Sequence, residues 1–290
     1  MLWQLISIVF PIFAIVLLGF VYARKHSPDM AAANKLNIDI FVPALIFDVL
    51  TSKSFNLEEY QLLTFAAICV VLGSVIVAWP VARFFGYQFK TFIPPMLFNN
   101  SGNLGLPLMV FAFGEKALPA AVMLFIVENT LHFSVGMKIL SNKSSLLGLF
   151  KIPILLATIA GLSISILHFQ MPALLATPIK MLGQISIPLM LFSLGVRLIH
   201  INWQDWKIGL IGAVVSPLSG LAIALPVGYL LNLPAQQYSL LILFGALPPA
   251  VLNYMIAERY NQQPRHVASI VMMGNLAAIV VIPLVLAFLL

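Results

Sequence analysis

Apolar windows about 20 residues long, each enough to cross the bilayer as a helix, recur along this chain between short polar stretches. They fall at roughly 3–22, 33–50, 60–82, 91–113, 117–139, 151–168, 174–198, 207–231, 236–257 and 265–289. The first runs straight into Tyr22-Ala23-Arg24-Lys25 without a basic start, which reads as a retained span rather than a cleaved signal. Two windows are interrupted. The fourth contains Phe98-Asn99-Asn100-Ser101-Gly102-Asn103-Leu104-Gly105-Leu106-Pro107, and the ninth contains Gly245-Ala246-Leu247-Pro248-Pro249-Ala250-Val251-Leu252-Asn253. Glycine and proline weaken a helix, and proline also removes a backbone donor. In hydrocarbon the freed backbone groups need protein or a watery cavity to cover them. Both spans are therefore expected to be non-helical, around 99–107 and 248–253, and to cross near mid-membrane. A helix kinked for packing alone is the plainer alternative.

The polar linker Ser141-Asn142-Lys143-Ser144-Ser145 divides five windows from five. An odd number per half makes the second half enter from the opposite face, so two copies would be inverted repeats. A shift of about 145 to 147 residues brings Pro43 onto Pro188, Pro107 onto Asn253 and Asn129 onto Asn275. The expected organisation is a first five-helix repeat over 1–140, a cytoplasmic linker over 141–150 and a second repeat over 151–290.

Composition agrees with a membrane protein: 61% of the 290 residues are hydrophobic, 8% are charged and mean hydropathy is +1.05, far from a soluble domain. The net charge of +6 is spread singly between apolar windows, so it reads as topology rather than a nucleic-acid surface. Of 15 Lys and Arg, only Lys53, Lys116 and Lys180 fall on one side; the other twelve, from Arg24 to Arg265, fall on the opposite side. The positive-inside rule then places both termini outside, extracellular or periplasmic, in a multi-pass protein of the inner or plasma membrane. Trp3, Trp79, Trp203, Trp206, Tyr22, Tyr87 and Tyr238 lie near window ends, as interfacial anchors do.

Candidate chemistry concentrates at the breaks. Asn99, Asn100, Ser101, Asn103 and Asn253 are the candidate solute-binding residues, with Gly102, Gly105, Pro107, Pro248 and Pro249 shaping the crossing. The second half-helices would aim free N–H groups and partial positive charge at the centre, an anion site needing no basic side chain. Glu128 lies mid-window, the costliest depth for a charge, with Asn129 beside it and His132 one turn on. These are candidates for a proton relay or cation site, or for a structural hydrogen bond between helices. Asn275 is placed to buttress the ninth-window break, and Asp39, with Asn37, either faces a vestibule or caps a helix end. No metal or cofactor site is expected: Cys69 is the single cysteine, and H-E-x-x-H, P-loop and nucleotide fingerprints are missing. An enzyme is not expected.

The chain resembles the auxin efflux carrier family, which includes plant PIN-type carriers and bacterial transporters assigned to malate or malonate. The resemblance is carried by Asn100-Ser101 through Gly105-Leu106-Pro107-Leu108, by Phe192-Ser193-Leu194-Gly195, and by Ala246-Leu247-Pro248 followed by Ala257-Glu258-Arg259-Tyr260-Asn261. It implies an all-α polytopic fold of ten transmembrane helices in two inverted repeats, with helices four and nine broken and crossed. That fold is similar to the sodium–bile acid symporters and sodium–proton antiporters, with a scaffold domain and a transport domain moving as an elevator. Plant members carry proline where this chain has Asn253, and their long central loop is absent here. The functional expectation is a secondary carrier of a small organic anion, auxin-like or a mono- or dicarboxylate such as malate or malonate. Two other readings stay open: a proton- or cation-coupled carrier using Glu128, and a ligand-binding membrane sensor. The expected partners are the solute and the lipid bilayer, with a homodimer as the assembly open to the chain.

Overall fold

The computed structural model describes residues 2–52, 55–141, 151–200 and 205–289. Asn142, Lys143, Ser144 and Ser145 of the linker, together with Lys53 and Trp203, lie outside the described residues. The described residues are helical, and the β pairing among them is one isolated bridge. Helix α1 (Leu2–His26) is followed by α2 (Ala31–Leu36), a π-helical turn (Asn37–Phe41) and α3 (Val42–Leu50) in one unbroken run. Next come α4 (Gln61–Phe84), α5 (Phe89–Leu97), a second π-helical turn (Ser101–Gly105) and α6 (Leu106–Phe113). The first half closes with α7 (Leu118–Leu131), a third π-helical turn (His132–Gly136) and α8 (Met137–Leu140). The second half holds α9 (Pro153–Ile166), α10 (Ala173–Arg197), α11 (Trp206–Leu230), α12 (Ala235–Gly245), α13 (Leu252–Arg259) and α14 (Pro264–Leu289). Among the described residues six helical stretches are long and apolar enough to cross a membrane; Ser101–Phe113 and Pro153–Ile166 are apolar but shorter. The chain is thus an all-helical polytopic membrane protein.

Helix ends follow from local chemistry. Gly86 (φ 71°), His168 (φ 51°), Asn232 (φ 50°) and Asn261 (φ 52°) take the left-handed conformation after α4, α9, α11 and α13. The next N–H then reaches back across the last turn, as in Tyr87 N–H to Ala82 O (2.8 Å) and Gln262 N–H to Ala257 O (2.8 Å).

Two packed groups organise the molecule. In one, α1 lies on α10, α10 on α3, and α3 on α9. In the other, α11 lies on α14, α4 and α12, while α4 also packs on α5 and α7. Glycines permit the closest approaches: a Cβ on Gly195 would run into Val16 O, and one on Gly220 into Gly245 O. Such small-residue contacts draw membrane helices together. Large apolar side chains such as Trp3, Phe84, Leu174 and Tyr229 face outward, where lipid replaces water.

The breaks are shorter than the sequence suggests and begin earlier. Helix is lost only at 98–100 and 246–251. Gly105 and Pro107 are helical, and Asn253 stands in the first turn of α13. Pro107 is the second residue of α6 but lies inside the continuous helical run Ser101–Phe113, where a proline removes one ladder bond and its ring needs room. The π-helical turn before it ends two residues ahead of Pro107, and the turn over Asn37–Phe41 ends two residues ahead of Pro43. The wider turn makes room for the proline ring without breaking the run.

Candidate functional site

The two breaks bond to each other. Asn99 and Pro249 form the antiparallel bridge, with Asn100 N–H donating to Pro248 O (2.7 Å) and Ala250 N–H to Phe98 O (2.9 Å). Asparagine side chains add further donors to the carbonyls of the breaks. Asn99 Nδ2 donates to Phe244 O (2.7 Å), and Asn253 Nδ2 donates to Phe98 O (2.8 Å) and Ala250 O (3.0 Å). Asn275, on α14, donates to Pro249 O (3.0 Å) and accepts from Asn100 Nδ2 (2.9 Å). The freed backbone therefore finds its partners within the protein, as hydrocarbon requires. Gly105 lets the chains close: a Cβ there would meet Leu247 Cδ1 at 2.7 Å.

A second polar cluster abuts this crossing. Glu128, on α7, is 3% exposed and His132, one turn on, is 2% exposed. Glu128 Oε1 lies 3.2 Å from His132 Nδ1, while its Oε2 accepts from Asn129 Nδ2 (3.0 Å) and Ser101 Oγ (3.2 Å). The His132 ring stacks on Phe98, centroids 4.2 Å apart and planes 8° from parallel. Ser101 and Phe98 thus tie the carboxylate cluster to the crossing.

Between these elements lies a cavity of about 120 Å³. Asn99, Asn100, Gly102, Asn103, Glu128, Asn129 and His132 line it from the group that holds the crossing. Asn37, Ile38, Val42, Ile154 and Met190 close it from the other group, so the cavity sits on the seam between the two. All three π-helical turns contribute to its wall, which fits the tendency of π-bulges to mark functional positions. Asn37 Oδ1 and Asn99 Oδ1 are buried without a hydrogen-bond partner. A buried polar atom left so costs free energy that a bound solute can recover.

The sequence-derived residues are not all at this wall. Ser101, Asn253 and Asn275 support the crossing from behind, and Gly105, Pro107, Pro248 and Pro249 shape it without lining the cavity. Asp39 is exposed inside the first π-helical turn and does not line the cavity. Its neighbour Asn37 is the buried, cavity-lining member of the pair. Phe125, Phe133 and Val251 also line the wall, and nothing in an apolar window distinguishes such residues from lipid-facing ones.

The family described as "Membrane transport protein" matches residues 4–145 and 134–286. "Uncharacterized transporter YfdV" of Escherichia coli (strain K12) is 24% identical over 306 aligned residues, covering 98% of this chain and 97% of the relative. "Auxin efflux carrier component 8" of Arabidopsis thaliana is 21% identical, covering 96% of this chain and 95% of its own. "Putative malonate transporter" of Rhizobium meliloti (strain 1021) is 26% identical over 67% of each chain. With matches across nearly its whole length, the chain belongs to the auxin efflux carrier family of membrane transport proteins, and is a transporter rather than an enzyme.

Proposed function

We propose that this chain is a secondary transporter that carries a small organic anion through the crossing cavity by alternating access. The carrying observation is the cavity itself: it lies between two packed groups and is walled by the asparagines and N-terminal turns of a broken helix. The N–H groups of Ser101, Gly102 and Asn103 begin the second half of that helix and supply donors for a carboxylate. At about 120 Å³ the cavity has room for a short mono- or dicarboxylate. The name of the Rhizobium meliloti relative points to malonate, which serves as the first solute to test.

The wider reading is ten spans in two inverted repeats, with both termini extracellular or periplasmic. Its support is a packing pattern that survives exchange of the halves. The pair α1 and α10 answers to α9 and α3, and the pair α4 and α7 answers to α14 and α11. The left-handed residues Gly86 and Asn232 end the corresponding helices α4 and α11. In this scheme α1, α3, α9 and α10 form the scaffold and the remaining long helices the transport domain. The path lies within one chain, so the scheme holds with or without a homodimer.

Uptake of labelled malonate into proteoliposomes tests the core proposal. Wild type is expected to accumulate it under an inside-positive potential, and Asn99→Ala to raise KM about tenfold by removing a cavity-facing amide. Transport unaffected by changes at both Asn99 and Asn103 would move the solute elsewhere. The Glu128–His132 contact favours a second reading, proton coupling. Under it, Glu128→Gln abolishes stimulation by a pH gradient at fixed potential while malonate binding persists. Equal rates for both proteins with and without the gradient would leave Glu128 a structural hydrogen-bonding group.

A further inference from the structure

Val251 lines the crossing cavity and also a second, larger cavity of about 510 Å³. Arg197, Tyr254, Glu258 and Arg265 supply the polar wall of this outer space. Arg265 reaches Asp205 at 3.9 Å, and Glu258 Oε1 accepts from Tyr254 Oη at 2.8 Å. Arg197 differs from both. It is the last residue of α10, half-buried, and among the described residues it makes no ion pair or hydrogen bond. All nine Asp and Glu residues of the chain are described, and none of them forms an ion pair with Arg197. A guanidinium offers five N–H donors in a planar fork matched to an oxyanion. Holding one half-buried without an anion is costly unless a ligand supplies the charge.

We propose that Arg197 is the centre of a second anion-binding subsite, where a carboxylate waits in the outer cavity before passing Val251 to the crossing. The subsite deepens the organic-anion reading and rests on it only for the anion's next step. The residues of both cavities lie towards the helix ends that carry Arg197, Arg259 and Lys138, so the subsite serves loading from that face. Glu258, on the same wall, sets the subsite's affinity from the unfavourable side, since a like charge opposes the incoming carboxylate. The phosphate of an anionic lipid offers the same oxyanion chemistry, and the experiment separates the two sources.

Equilibrium binding of labelled malonate to the purified chain, in nanodiscs of phosphatidylcholine alone, tests this. Wild type is expected to bind at two sites of different affinity. Arg197→Gln should weaken one of them about tenfold or more, with Arg197→Lys intermediate, because a bidentate charge-assisted contact is lost. Glu258→Gln should tighten the same site, an opposite sign that general damage to the fold does not produce. Asn99→Ala should affect only the other site. Binding by Arg197→Gln indistinguishable from wild type overturns the subsite; where that variant does not fold, absence of tightening in Glu258→Gln overturns it. If Arg197→Gln removes all binding and Asn99→Ala none, the subsite stands and the crossing reading falls. If phosphatidylglycerol displaces malonate from wild type at the Arg197 site, the occupant is lipid phosphate and the waiting role is overturned.

Discussion

Asn275 bonds to both broken strands at once, giving a hydrogen to Pro249 O and receiving one from Asn100 Nδ2. Its third bond, to Val271 O at 2.8 Å, fixes the amide so that its oxygen faces Asn100. An average side-chain hydrogen bond in a membrane protein is worth roughly 0.6 kcal/mol, because the unfolded chain in lipid finds other partners. Asn275→Ala is different: it strips the partners from two buried groups at a place where no helix supplies replacements. The expected cost is about 1–3 kcal/mol, read as a fall in the midpoint of detergent unfolding. A midpoint within error of wild type would show the crossing to be held by its backbone bonds alone. The asparagines were legible in the sequence as partners for a broken backbone, since few other side chains in apolar windows can play that part. Asp39 and Asn37 were not legible in the same way. A π-helical turn inserts an extra residue into the helical repeat and rotates everything after it by about 100°. Counting at 3.6 residues per turn therefore misplaces the faces of residues on either side of Pro43. The structure buries Asn37 and exposes Asp39.

Between elements, small residues set how near the helices come. Gly220 of α11 and Gly245 of α12 meet backbone to backbone, whereas a Cβ on Gly73 of α4 would meet only the Ile223 side chain, at 3.0 Å. Gly220→Ala must push two helices apart at the point where α12 leads into the break; Gly73→Ala asks one flexible side chain to move. Overpacking typically costs 1–3 kcal/mol, roughly, and more where backbone cannot yield. Gly220→Ala is accordingly expected to lose most of its monodisperse yield in size-exclusion chromatography, and Gly73→Ala to elute as wild type does. Similar profiles for the two would mean that α11 and α12 can separate freely. The ninth window offers a second test. Asn253 sits in the first turn of α13, where proline is sterically tolerated, but its N–H donates to Ala250 O and its Nδ2 to Phe98 O and Ala250 O. Asn253→Pro should fold but lose about 3 kcal/mol, roughly 1 for each of the three bonds that proline cannot make. Failure to fold would place residue 253 deeper in a regular helix than the first turn. Proline and glycine marked both breaks in the sequence. Their limits were hidden because the same residues can end a helix or open one, and only the partner strand decides between the two.

At the scale of the whole molecule, the arrangement turns on which helices share a body. That the chain is a helical protein with several membrane spans was visible in hydrophobicity alone. That α1 packs on α10, and α4 on α11, was not, because those contacts join residues more than a hundred positions apart and leave no mark on local periodicity. The cavity lies on the seam between the two groups, so its access can change only if they move relative to one another, if the seam opens, or if side chains alone rearrange. Spin labels distinguish these. With Cys69 replaced by alanine, labels on Phe84 of α4 and Tyr229 of α11 report within one group, and labels on Leu174 of α10 and Tyr229 report between groups. All three sites are strongly exposed and tolerate a label. Rigid-body alternating access predicts that saturating malonate, or a substitution that favours one state, shifts the between-group distance by several ångströms. The within-group distance should hold to about 1 Å, because helices packed backbone to backbone do not slide by small amounts. Equal shifts in both pairs would dissolve the two-body description. No shift in either, in protein shown to transport, would leave cavity-lining side chains such as Phe125 and Phe133 as the gates and the helices as a fixed frame.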